Sequence, residues 1–122
     1  MSWASAYIGR PYDRTLADNC LGLARAIQSE VFDRQLHGLL SMLRLVVSGG
    51  SVEDQFPELA RPVEGCIVLM GTRQEPAAHV GVWCESARRV VHASRGFGSV
   101  VAEELSTLRM QWHSVRFFEV PA

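Results

Sequence analysis

Lysine is missing altogether: all 12 basic residues are arginine, set against 13 acidic residues for a formal net charge of −1. The arginines are scattered, with Arg88-Arg89 the nearest approach to a cluster. The chain therefore lacks the basic stripe that displaces counterions from phosphates, and no nucleic-acid partner is expected. Cysteine is scarce. Cys20, Cys66 and Cys84 are too few and too odd in number for a disulfide framework, and no CxxC pair offers the spacing of a structural zinc site. No apolar run approaches the roughly 20 residues that span a bilayer, so no membrane insertion is expected. The opening MSWASAYIGRPYD has no basic segment followed by a long apolar stretch, so a signal peptide is not expected. Synthesis in the cytoplasm, with reduced thiols, follows from that reading. Internal repeats and low-complexity tracts are absent too.

What is present is enough for one globular unit. The 122 residues are 48% hydrophobic and 20% charged, which allows a single domain over 1–122 with its own core. Ser2 to Ile8 reads as a short first helix, stopped by Gly9 and Pro11. Asp18 or Asn19 then caps a helix in which Cys20, Leu23, Ala24, Ile27 and Val31 fall on one stripe. A second helical pattern carries Leu36, Leu39, Leu40, Leu43 and Val47 and ends at Gly49-Gly50. Phe56 to Pro62 reads as a connector. Beyond Gly65 the period becomes that of strands. Cys66–Met70 reads as a buried strand and 71–78 as a loop, and His79–Cys84 and Arg89–Ser94 form a hairpin around Glu85-Ser86-Ala87-Arg88. A strand at Ser99–Ala102, a short helix at Glu103–Arg109 and a last strand at Ser114–Val120 complete the chain. Helices first and antiparallel strands after make the fold class α+β.

The chemistry-bearing residues lie at the start of a helix and on the hairpin. Cys20 sits in a first turn, where free backbone N–H groups and the helix dipole favour a thiolate. Alone it fits a small buried hydrophobe better. If Cys84 opposes Arg89, then Gly81 opposes His92, and His79 and His92 are diagonal neighbours on one face. A slip of one residue would separate them. Gly81 leaves room for the rings. A thiol at a helix start, packed on a sheet face bearing two imidazoles, is the arrangement nucleophilic catalysis needs, with His79 as base and His92 holding it in the right tautomer. A depressed Cys20 pKa is expected on this basis. His37 falls off its helical stripe and reads as a surface residue, and His113 precedes the last strand at a turn.

Four stretches resemble the NlpC-type cell-wall peptidases, a bacterial branch of the papain-like cysteine hydrolases. Tyr7-Ile8-Gly9-Arg10-Pro11-Tyr12 is similar to the family's opening YxGxPY. Asp18-Asn19-Cys20-Leu21-Gly22-Leu23 resembles its nucleophile motif, and Pro62 to Met70 its "P..GDLVLF" strand. His79-Val80-Gly81-Val82-Trp83 with Val90-Val91-His92-Ala93-Ser94 resembles the strands of the base and the third residue. The likeness covers most of the chain except residues 33–61. Asn19 stands where the family has Asp, Leu21 where it has Ser or Trp, and Gly65-Cys66 where it has Gly-Asp.

The resemblance implies a papain-like fold whose nucleophile helix packs on a central antiparallel sheet. It further implies hydrolysis of amide bonds in peptidoglycan stem peptides, without metal or cofactor. It carries nucleophile, base and orienting residue onto Cys20, His79 and His92, and substrate or oxyanion contacts onto Tyr12 and Asn19. The opening WASAYIGRPYD is most similar to single-domain NlpC-type proteins of long-tailed bacteriophages, which implies a virion protein of the tail tip or baseplate, with tail proteins as partners, acting at the host wall. A secretion effector and a cytoplasmic recycling enzyme are the other routes to that substrate. The rival roles are a structural tail-assembly or plug component with little activity, and a thiol acyltransferase on the same fold.

Overall fold

A computed structural model describes residues 2–12, 20–34, 56–75 and 78–120. The expected capping residues Asp18 and Asn19, the helical pattern at 36–47 and His37 lie outside the described residues. A turn of 3-10 helix at Trp3–Ala6, capped by the Ser2 hydroxyl, replaces the expected first helix. Helix α1 spans Cys20–Glu30 and begins at the cysteine itself. Six strands follow: β1 (Glu58–Leu59), β2 (Ile67–Gly71), β3 (His79–Cys84), β4 (Arg89–Ser94), β5 (Ser99–Glu103) and β6 (Ser114–Phe118). Helix α2, Leu105–Gln111, stands between the last two. Every pairing in the sheet is antiparallel, in the order β1-β6-β2-β3-β4-β5. The architecture is α+β. Among the described residues no helix is long and apolar enough to cross a membrane.

The sheet is buried on both faces, which explains the unbroken apolar runs of its central strands. On one face Leu23, Ala24 and Ile27 of α1 pack with Val80, Val82, Val91 and Phe118. On the other, Leu108 of α2 packs with Val68, Met70, Trp83, Val90 and Phe117. Polar contacts fix α1 on its face. The buried Gln28 donates from Nε2 to the Gly65 carbonyl at 2.7 Å, and Tyr7 donates to Glu30 at 2.7 Å. Residues 9–12 run along the outer edge of β5: Gly9 donates to Val100 and Tyr12 to Gly98, and Pro11 forms a bridge with Ser99.

The β3–β4 hairpin has the expected boundaries and pairs Cys84 with Arg89 and Val82 with Val91. Its four-residue turn places Arg88 at φ 50°. One residue beyond Val82, Gly81 meets β4 so closely that a Cβ there would lie 2.6 Å from Val90 Cγ1, 3.0 Å from the Val91 carbonyl oxygen and 3.2 Å from His92 Cβ. Neither a branched valine nor a strand carbonyl can yield at little cost. Gly81→Ala is therefore expected to destabilise the fold by about 1–3 kcal/mol, as overpacking does. Urea unfolding should show a lower midpoint at unchanged slope. A wild-type midpoint would mean that β4 has room to spare.

Candidate active site at the end of the sheet

Strand alternation decides where the side chains point. His79 opposes Met70 and Gly81 opposes Val68 across β2, so His79 projects from the face that carries Met70 and Val68. His92, next to the Gly81 Cα, projects from the same face. The expected diagonal pair is present, with His79 Nε2 2.8 Å from His92 Nδ1. The rings meet edge to face at 84°, centroids 4.9 Å apart. Trp112, just past α2, stacks on the other side of His79 at 5.6 Å and 4°. His79 is held in plane by the indole and in rotation by His92.

Helix α1 does not lie on that face. It packs on the opposite one, against Val80, Val82 and Val91, so the expectation of thiol and imidazoles on a single sheet face is corrected. They come together at the end of the sheet instead. Trp83 donates its N–H toward Cys66, so by alternation the N–H of Val80 points away from β2. The backbone of Val80, beside that of Leu21 and Cys20 itself, favours the Cys20 thiolate. Cys20, His79 and His92 thus line one cleft of about 720 Å³, together with Tyr12, Glu103 and Trp112. Tyr12 is brought there by its hydrogen bond to Gly98. Asn19 lies outside the described residues.

Two residues that contact the histidines, Glu103 and Trp112, are absent from the sequence expectation. The sequence pattern starts a helix at Glu103, but β5 runs one residue beyond Ala102 and ends on Glu103. There its Oε1 stands 2.8 Å from His92 Nε2, with the carboxylate side chain only 12% exposed. The missed signal is the two-residue period: Val101 opposes His92, and Glu103 comes two residues later on the same face. Trp112, on the short link from α2 to β6, had no sequence signal. Among the described residues no group of three His, Cys, Asp or Glu side chains is placed to hold a metal ion.

Burial governs the protonation of the site. It pushes His79 down to about 4, helped by its neighbour His92, and pushes His92 down to about 4. A carboxylate at 2.8 Å favours a charged His92, but the ring is 4% exposed and the cost of desolvation prevails. Burial likewise raises the Glu103 carboxyl. It raises the Cys20 thiol as well, against the lowering effect of the three backbone groups. The expected depressed thiol pKa is thereby corrected: the backbone groups at the helix start do favour the thiolate, but desolvation of the sulfur is the larger effect here. Thiol and imidazole rest uncharged.

Family models, curated proteins and solved structures were compared with the chain, and none matches.

Two measurements follow from these protonation states. The folded protein keeps both rings neutral, whereas the unfolded chain takes up protons near the ordinary histidine value of 6.5. Stability is then fully present above about 6.5 and is lost as pH falls toward about 4. The loss reaches at most ~3 kcal/mol per ring. Glu103, raised by burial, offsets part of it at the acid end. Urea midpoints should fall steadily across that interval, and a flat profile would mean that the rings are charged or wet. The second measurement is alkylation by iodoacetamide. Cys20 is half-buried while Cys66 and Cys84 are buried, so Cys20 should react first in the native protein. Its rate should still be climbing with pH well beyond neutrality, and a plateau near neutral pH would restore the thiolate–imidazolium pair.

Proposed function

We propose that the protein is a cysteine hydrolase of the NlpC type that cleaves amide bonds in peptidoglycan stem peptides. The observation that carries the reading is the convergence of Cys20, His79 and His92 on one cleft, with the two rings joined at 2.8 Å. A helix headed by the cysteine and seated on an antiparallel sheet is the arrangement a papain-like fold requires, which supports the finer fold assignment. The place of action follows from the resemblance of the opening segment to tail-associated relatives: a bacteriophage tail tip or baseplate, where the protein opens the host wall during penetration.

His79 takes the Cys20 proton as the sulfur attacks the carbonyl carbon of the scissile amide, so proton transfer and bond formation proceed together from a neutral pair. The C=O π electrons move onto oxygen, and the backbone N–H of Cys20 is the donor assigned to that oxyanion. His79 returns the proton to the departing amine, which leaves a thioester on Cys20. Water, deprotonated by His79, then releases the carboxylic acid and restores the thiol. His92 holds the ring throughout. Tyr12 borders the cleft and is available to a polar group of the peptide.

Purified protein should release peptides from peptidoglycan sacculi, identified by mass spectrometry of the digest. Cys20→Ala should lower the rate by ~10³-fold or more, since a covalent route has no substitute for its nucleophile. Release that survives this substitution would place the chemistry elsewhere.

A further inference from the structure

Only one hydrogen can lie between His79 Nε2 and His92 Nδ1, which leaves two self-consistent arrangements of the neutral rings. In the first, both rings carry hydrogen on Nε2, and Nδ1 of His79 bears a free lone pair. In the second, both carry it on Nδ1, and the only nitrogen of His79 not engaged by His92 is no longer basic. The choice is made at the far end of the chain. His92 Nε2 faces Glu103 Oε1 at 2.8 Å, and a carboxylate has acceptors only. Two lone pairs facing each other in a site with little water would be strongly disfavoured. His92 must then carry its hydrogen on Nε2, accept on Nδ1, and leave His79 as the donor between the rings.

We propose that Glu103 is a positioning residue which, through His92, sets the tautomer of His79 and leaves its Nδ1 free to take the Cys20 proton. The catalytic consequence rests on the hydrolase reading of the cleft, whereas the tautomers do not. The same order of hydrogens helps after transfer. A protonated His79 keeps its Nε2–H bond to His92, whose Nδ1 lone pair points at the new charge. In the opposite order His79 has no free lone pair to take the proton, and the charge does not form. Trp112 keeps the His79 ring in the plane where this bond forms.

Nitrogen–proton correlation spectra of isotope-labelled protein at neutral pH read the tautomers directly. Both His79 and His92 should carry hydrogen on Nε2 with a bare Nδ1; hydrogen on Nδ1 of either ring overturns the proposal. Glu103→Gln keeps the size but can turn an amide hydrogen toward His92 Nε2, so both rings should shift predominantly to hydrogen on Nδ1. Alkylation of Cys20 in that variant should slow by about tenfold, and peptide hydrolysis should lose ~10²-fold in kcat with little change in KM. Glu103→Asp should recover part of both losses. Unchanged tautomers and unchanged alkylation in Glu103→Gln would overturn the role of the carboxylate. Should that variant fail to fold, the wild-type spectrum still decides. If wild type hydrolyses nothing while tautomers and alkylation respond as stated, the relay stands and the hydrolase reading falls.

Discussion

The register of the β3–β4 hairpin is the constraint on which the site depends. With Cys84 opposite Arg89, Gly81 falls beside His92, and the two histidines share a face. Because side chains alternate, a shift of one residue would turn His79 toward the face that α1 covers and set Val80 and Val82 where the cleft now opens. The missing side chain at position 81 is part of the same constraint. It lets β4 approach closely enough for the rings to meet, and any Cβ would push against Val90 and the Val91 carbonyl. Apolar burial on both faces of the sheet holds this register far more firmly than the polar chain it supports.

Around that hairpin the protein sets stability and chemistry against each other. His92 is removed from water and His79 partly so, which is tolerable because each nitrogen of His92 has a partner and His79 is covered on one side by an indole. Among the described residues, no buried side-chain nitrogen or oxygen is left without a hydrogen bond. The thiol is treated alike. Burial holds it protonated at rest, so the machinery is a neutral acid beside a neutral base rather than a stored ion pair. Backbone N–H groups can favour the developing thiolate without adding a charge to the ground state.

Much of this was legible in the sequence, and the failures have physical causes. The helix from Cys20, the hairpin boundaries and the pairing of His79 with His92 all follow from period and turn chemistry, which are local. Glu103 was missed because a single residue at the join of strand and helix fits either, and its partner His92 is 11 residues away in the chain. Trp112 could not be seen, since its stacking depends on how α2 is docked. The direction of the thiol shift was misjudged for a related reason. A helix start is written in the sequence, but the amount of water around a sulfur is a property of the packed whole. The same limit applies to the sides of the sheet: alternation gave which residues share a face, but not which face α1 would cover.

The strap formed by Gly9 to Tyr12 along β5 has a consequence for solubility. A bare outer strand offers a row of free N–H and C=O groups to any other chain. Here the Gly9 N–H occupies the Val100 carbonyl, the Val100 N–H is taken by the Arg10 carbonyl, and Pro11 presents no amide hydrogen of its own at the Ser99 bridge. At the opposite margin β1 is only two residues long. The ends of the sheet are thus protected by different means, one by a covering segment and one by brevity. Loss of the first dozen residues would therefore do more than remove Tyr12 from the cleft: it would convert β5 into a template for intermolecular strand addition and turn a folded domain toward self-association.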